Sequence, residues 1–480
     1  MKSSHGLLLI FACFVAQPAV AQPAVVQTGS PPAPAPRAER MKPEQRAGVL
    51  RLAGSNSIGM QLAPELLLAY GADGRLQAPR EEQGLTVEER TIVMQAAESS
   101  RILRGEIKAH GSAAAFADLL GGKTDIALAS RPATAAEAKA FAAARMGNIV
   151  RPGNENVVSL DGITFIVHHA NPVRTLSASQ LRDLMSGAVT RWSDVGGPDL
   201  PVSVYAHDDK SGTYEMIQQR LFGRAGAVAK TARLLESSED LADAVASDPA
   251  AIGFVGIASV RNAKPVAIAS DCGLPAAEPS AFQVKTEEYP LSRRMYFYLT
   301  DKHTPLVNDF VKFALSPAAQ PAIERAGFVN LDPILAPSPP TPAVPVAAMP
   351  TAGVPAAVAR GQALADAISG AQRLSVTIRF EVAKAAVDSR GVDDLERLRH
   401  WLRQSGNGRA VTLVGYSSGD GEFESNVLLS RRRAQEVEGR LRALGVQPAA
   451  VIGVGPIKPV ACETSPENSN LNRRVEVWLR

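Results

Sequence analysis

Ser211, Gly212 and Thr213 are the residues of this chain most suited to holding an anion. They follow the apolar segment Val202 to Ala206 and the charged loop His207, Asp208, Asp209, Lys210, and they open a helical pattern that runs to Phe222. The first turn of a helix leaves backbone N–H groups unpaired and carries the positive end of the macrodipole. Glycine lets that backbone approach a ligand closely, and the flanking hydroxyls add donors, so the run is a ready oxyanion site. The alternative is an ordinary serine N-cap that satisfies its own helix and binds nothing.

Two further turns have the same make-up. Gly54, Ser55, Asn56 and Ser57 follow the apolar stretch Val49 to Ala53 and precede a helical pattern, Leu62 to Tyr70. Gly111 and Ser112 precede another, Ala113 to Leu120. In open α/β sheets, ligands gather at the carboxyl ends of strands, so three such turns can converge on one anion.

Positioning those turns takes an α/β scaffold. From Gly48 to about Phe328, short apolar runs alternate with amphipathic stretches. Asp125–Ala129, Gly162–His168, Ala251–Val255 and Met295–Leu299 read as strands, and Ala178–Met185 and Leu306–Leu315 as helices. The alternation predicts a mostly parallel sheet. Residues 333–356 are dense in Pro and Ala with almost no charge, which predicts an extended tether rising about 3.1 Å per residue. A new pattern then begins. Helices are expected at Ala357–Ile368, Gly391–Gln404 and Leu428–Leu444, and strands at Leu374–Phe380, Ala410–Val414 and Arg474–Leu479, forming a small α+β domain.

At the N-terminus, Lys2, the apolar run Leu7–Val15 and the small residues Ala19-Val20-Ala21 read as a secretory signal over 1–21, with a Pro/Ala-rich lead-in over 22–40. A lipoprotein site at Cys13 is the competing reading; bulky Phe11 and the short apolar run before Cys13 argue against it. Export permits a disulfide between Cys272 and Cys462, which would pin one domain to the other; two free thiols are the alternative. A net charge of +3 and an aromatic content of 5% give little basis for nucleic-acid binding. His168-His169 has no Cys or Glu partner at ligand spacing, so no metal or cofactor is expected. Without a metal cluster, an activated nucleophile or a suggestive carboxylate pair, the chain is expected not to be an enzyme.

The region 41–332 resembles the PstS-type phosphate-binding proteins of ABC transporters. The matching stretches, in order, are Gly54–Ser57, Gly111-Ser112, Asp125–Pro132, Leu160–Gly162, Arg191–Gly196, Asp209–Thr213, Ala251–Phe254 and Tyr289–Arg294. The resemblance implies two α/β lobes joined by crossing strands, a ligand in the cleft and a partner permease. It places Ser55, Asn56, Ser57, Ser112, Ser211, Gly212 and Thr213 at the anion. Arg131 stands where phosphate-specific members carry a proton-accepting carboxylate, and His207 where the family often has Arg. Arg131 can hold an oxyanion but cannot accept the proton that phosphate carries and sulfate lacks. Asp208 or Asp209 would have to do so.

The region 357–480 resembles the OmpA-like peptidoglycan-associated domain, through Gly415–Gly421, Asn426, Leu429-Ser430, Arg433-Ala434 and Asn472–Val477. That family grips the diaminopimelate of peptidoglycan with a loop carboxylate and a helix arginine. Arg433 fills the arginine position, and the resemblance places Asn426 with it at the peptidoglycan site. Ser418 stands at the acid position, with Asp420 as the nearby substitute. The combined expectation is a binding protein of the periplasm, capturing phosphate or a related oxyanion and held at the cell wall or outer membrane. The alternative is an envelope structural, adhesion or sensing protein that has lost anion transport.

Overall fold

A computed structural model describes residues 47–96, 100–207, 211–223, 226–235, 237–337, 355–380, 386–406 and 408–480. The expected signal sequence, the lead-in, Asp208, Asp209 and most of the expected tether lie outside these residues.

The first region forms two lobes, as the resemblance implied. In one, the strand Gly48–Gly54 runs parallel to Ile102–Lys108 on one side and to Ile126–Ala129 on the other. In the other, Ala251–Gly256 runs parallel to Ser203–Ala206. The lobes are joined by the long strand Glu155–Val167, buried almost throughout. Its first half pairs antiparallel with Ser292–Tyr298, and its second half with Ala251–Gly256 and Lys264–Ala269. One apolar cluster packs Leu50, Leu66, Tyr70, Phe297 and Phe310; another runs from Phe116 and Tyr298 through Phe165 to Trp192 and Phe254.

The sheet is mixed, which corrects the expectation of a mostly parallel one. The crossing strands Glu155–Val167 and Ser292–Tyr298 run against their neighbours. The hairpin Gln77–Gln83 and Glu89–Gln95, which the apolar pattern did not reveal, adds further antiparallel edges. Its strand Gln77–Gln83 is almost wholly exposed, so it has no apolar alternation to detect.

The C-terminal sheet has the order Gln372–Arg379, Arg474–Leu479, Val411–Gly415, Ala450–Gly453. One face packs Leu413, Val475 and Val477 against Leu398 of the helix Ser389–Ser405 and Val437 of the helix Phe423–Ala443. Alternate residues Val414 and Tyr416 meet Ala357 and Leu364 of the helix Pro355–Ile368. The start of the expected tether is not free coil. Leu335 bridges to Leu374, and Ala336 N–H donates to Arg373 O at 2.7 Å. An edge strand with an unpaired row of backbone groups recruits such a segment.

The two regions are docked. Cys272 and Cys462 are joined in a disulfide. Beside it, the turn Thr286–Glu288 reaches into the C-terminal domain. Glu287, held at φ +60°, takes Arg294 from its own region and Arg390 Nη1 from the other at 2.9 Å, with Arg379 Nε at 3.6 Å. Arg379 Nη2 donates to Thr286 O at 2.6 Å, and Arg373 Nη2 to Glu288 Oε1 at 2.5 Å. Arg294 Nη1 also reaches Asp388 at 2.8 Å. Burial alone would raise the Glu287 carboxyl; Arg294, Arg390 and Arg379 outweigh it and hold the group well below the carboxylate range.

Candidate functional site

Backbone stitching brings the first two anion turns together. Gly111 N–H donates to Gly54 O at 2.7 Å, and Ser55 N–H to Leu128 O at 2.8 Å. Ser130 N–H donates to Ser112 Oγ at 3.1 Å, and the two hydroxyls lie 3.3 Å apart. Gly54 must be glycine: at φ +147° a Cβ would lie 2.0 Å from Leu128 O. Ser57 stands before the helical segment Ile58–Leu62, which continues into Ala63–Asp73, and Ser112 begins the helix Ser112–Leu120.

The third turn arrives from the opposite lobe. A Cβ on Gly212 would lie 1.7 Å from Ser57 Oγ, so the glycine lets the two lobes meet here without displacing that hydroxyl. Ser211 Oγ accepts from Thr213 N at 3.2 Å and Tyr214 N at 3.5 Å, so this hydroxyl serves as an N-cap, as the alternative reading of the run held. That cap takes the Thr213 and Tyr214 N–H groups, so what the turn can offer an anion is Gly212 N–H and the Thr213 hydroxyl.

Two residues that the candidate set omitted complete the junction. Arg293 and Asp161 are directly opposed across the crossing strands, each 9% exposed at the side chain and 2.9 Å apart. Arg293 Nη2 also donates to Ser57 Oγ at 3.2 Å. A guanidinium is thereby fixed where the three turns meet, its position set by a buried carboxylate. Both residues lie in stretches that carried the resemblance, but only strand pairing discloses their partnership.

Other expected residues have partners of their own, and Arg131 borders the same cavity as Ser112 and Arg293. Arg131 makes a two-point contact with Glu137, at 2.8 and 2.9 Å, and lies over the Phe116 ring, so its charge is already matched. His207 is buried at the end of Ser203–Ala206, with Nε2 3.4 Å from Ser238 Oγ and its ring edge-on to Phe254. Ser55 is buried and Asn56 is engaged in polar contact. No group of three or more His, Cys, Asp or Glu suited to a metal occurs among the described residues.

In the C-terminal domain, Arg433 is 1% exposed and packs over the Phe380 ring. Its Nε and Nη1 have no hydrogen-bond partner among the described residues. Burial, helped by Arg473, draws its pKa down to about 10, leaving it charged at neutral pH. Asp420, 69% exposed, lies 3.3 Å from Arg473, and Asn426 Nδ2 donates to Asp420 O at 2.8 Å. Ser418 is buried. A carboxylate from a distant segment, Glu463, is fastened to its loop: it accepts from Gly419 N–H at 2.8 Å and from Asn472 Nδ2 at 2.8 Å. Glu463 follows the disulfide cysteine Cys462, and nothing in its sequence context marked it.

Residues 90–318 match the model of the PBP superfamily domain, and residues 379–473 that of the OmpA family. Protein SphX of Synechococcus elongatus is 30% identical over 237 residues, covering 46% of this chain and 67% of that protein. The phosphate-binding protein PstS of Staphylococcus epidermidis is 28% identical over 229 residues, covering 46% and 67%. Among solved structures, an ABC-type phosphate transport receptor from Vibrio cholerae aligns with 24% identity and a TM-score of 0.44, covering 58% of this chain and 99% of that one. No helix among the described residues is long and apolar enough to cross a membrane.

Proposed function

The chain belongs to the family of SphX and the phosphate-binding protein PstS and carries an OmpA-family domain; from that premise we propose that it captures phosphate or a related oxyanion in its interlobe cleft and is held at the cell wall by its C-terminal domain. The observation that carries the first half is the meeting of Ser57 with Gly212 and Arg293, with the Ser112 turn bonded to Gly54 beside them. The helices that start at Ile58 and Ser112 bring their N-terminal ends to the joined turns. A buried guanidinium, already oriented by Asp161, adds a charge-assisted contact that needs little reordering when the anion arrives. This is the equipment of a receptor, and we read the chain as a binding protein that does no chemistry on its ligand. The export signal at 1–21, the periplasmic location and an ABC permease as recipient are parts of the same proposal.

The observation behind the second half is Arg433. A buried, charged guanidinium with two unused donors carries a desolvation cost that a carboxylate ligand relieves. The diaminopimelate of a peptidoglycan stem offers such a group. Glu463, also exposed but anchored to the Ser418 loop through Gly419 N–H, suits the amino end of that ligand better than Asp420, which is engaged with Arg473.

Calorimetric titration of the mature protein with phosphate and then sulfate tests the first half. Heat with phosphate is expected; silence with both anions removes the proposal. With Arg131 at the carboxylate position, sulfate is expected to bind within about tenfold, or about 1.4 kcal/mol, of phosphate. For the second half, co-sedimentation with purified peptidoglycan is expected for the wild type and should drop at least about tenfold for Arg433→Ala, the loss of a charge-assisted contact. Absence of co-sedimentation by the wild type removes the wall assignment.

A further inference from the structure

The C-terminal domain touches the first region at its hinge and on either side of it. The hinge is where the strands Glu155–Val167 and Ser292–Tyr298 pass from lobe to lobe, with Asp161 opposite Arg293. Some contacts fall there. The Glu287 cluster gathers on Arg294, which pairs with Leu160. Val329 also bridges to Leu160, and the chain then runs directly into the C-terminal domain, where Ile334 N–H donates to Ser375 Oγ at 2.9 Å. Other contacts lie farther out. On the first lobe, Ser389 Oγ donates to Glu155 at 2.5 Å, and Tyr298 OH donates to the same carboxylate at 2.8 Å. On the second lobe, Cys272, just beyond Ala269 in the strand paired with Ser177, is bonded to Cys462.

We propose that the C-terminal domain is a brace across this hinge, holding the two lobes at one angle. The inference concerns the lobes alone and stands whatever anion the junction takes. Its physical basis is leverage. Contacts at a hinge permit rotation, because points on the axis hardly move. Glu155 lies along an extended strand from Asp161, about 20 Å away at about 3.3 Å per residue. A domain rotation of about 15° would carry such a point about 5 Å, and a hydrogen bond is lost well before that. The disulfide does not stretch, so the C-terminal domain rides with the second lobe and any rotation falls on the Glu155–Ser389 contact. Ser389 and Arg390 are buried at the start of their helix, which lies against the crossing strand, so parting the contact exposes polar groups as well as breaking a bond. A free two-lobed receptor closes about its ligand by hinge motion. Here the meeting of Ser57 with Gly212 across the lobes is held by the second domain.

The test is pulsed electron–electron resonance on the full chain. Spin labels are attached by azide–alkyne chemistry, which spares the disulfide, at exposed Gln83 of the first lobe and exposed Lys230 of the second. The intact protein is expected to give one narrow distance. Asp388→Asn with Ser389→Ala frees the first-lobe end and keeps the helix cap, since Asn can accept from Gly391 N–H as Asp388 does at 2.8 Å. Reduction with dithiothreitol frees the second-lobe end. The Glu287 cluster keeps the domain at the hinge in both cases. Each release should broaden the distance distribution at least about twofold, as a hinge set free samples several angles. Ser389→Ala alone serves should the double variant not fold. A width equal to that of the intact protein after either release overturns the brace. So does a broad distribution in the intact protein, or a shift of its distance when phosphate is added.

Discussion

Glu287→Gln should destabilise the docked protein by about 3–5 kcal/mol, the range for removing one partner of a buried ionic network. The substitution keeps shape and one hydrogen-bonding oxygen but removes the charge that Arg294, Arg379 and Arg390 share. Asp388 still compensates Arg294, and Asp394 lies 3.1 Å from Arg390 Nε, but Arg379 keeps no carboxylate contact among the described residues. Urea unfolding of the oxidised protein measures the loss. Limited proteolysis with the disulfide reduced should show the two regions separating in the variant and not in the wild type. A variant as stable as the wild type would show that the cluster does not hold the interface.

The same group sets a pH window. The folded pKa of Glu287 is depressed, so its contribution is present above the ordinary glutamate value of about 4.3 and is lost as pH falls through the folded value. The Glu287 contribution to docking should therefore be steady from pH 5 to 8 and weaken progressively below about 4.3, and Glu287→Gln should flatten that fall. Glu155, which accepts from Ser389 Oγ at 2.5 Å across the interface, works in the opposite sense. Burial raises its pKa against the pull of the Ser389 and Tyr298 hydroxyls, so its effect favours docking at low pH and is lost as pH rises. Comparing variant with wild type isolates Glu287 from that background.

Arg293→Met should lower phosphate affinity by about 100-fold or more, corresponding to a charge-assisted contact of up to about 3 kcal/mol. It also strands Asp161, whose side chain is 9% exposed, so a stability loss of several kcal/mol is expected alongside. The double variant Asp161→Asn with Arg293→Met separates the two effects. Removing both charges should restore most of the stability, since a paired deletion leaves no buried ion, while binding stays lost. Calorimetry and thermal melts on the three variants decide the matter. Full phosphate affinity in the double variant would exclude Arg293 from the site.

Much of this protein is written locally. Leu374–Phe380, Ala178–Met185 and Leu306–Leu315 were legible to within a few residues, and Arg474–Leu479 to the residue, because each carries its own apolar period and end signals. The three Ser- and Gly-bearing turns were legible for the same reason, since a close approach or a helix start restricts residue type in place. So was the division into two resembling regions, because their motifs keep order and spacing.

What depended on distant segments was not legible. Strand direction across the lobes follows from where Glu155–Val167 crosses, and no local propensity encodes it. The Asp161–Arg293 pair is separated by 132 residues, and only antiparallel register opposes the two. The spending of Arg131 on Glu137, the burial of Arg433 over Phe380 and the gathering of arginines around Glu287 are likewise products of packing. In water each of these charges would be solvated and interchangeable; burial forces each to find a specific partner. The sequence alone therefore determined which turns could bind an anion and which two kinds of domain the chain contains. Only the tertiary structure decided which arginine stands beside those turns, and that the second domain supplies a wall of the cavity next to Arg293.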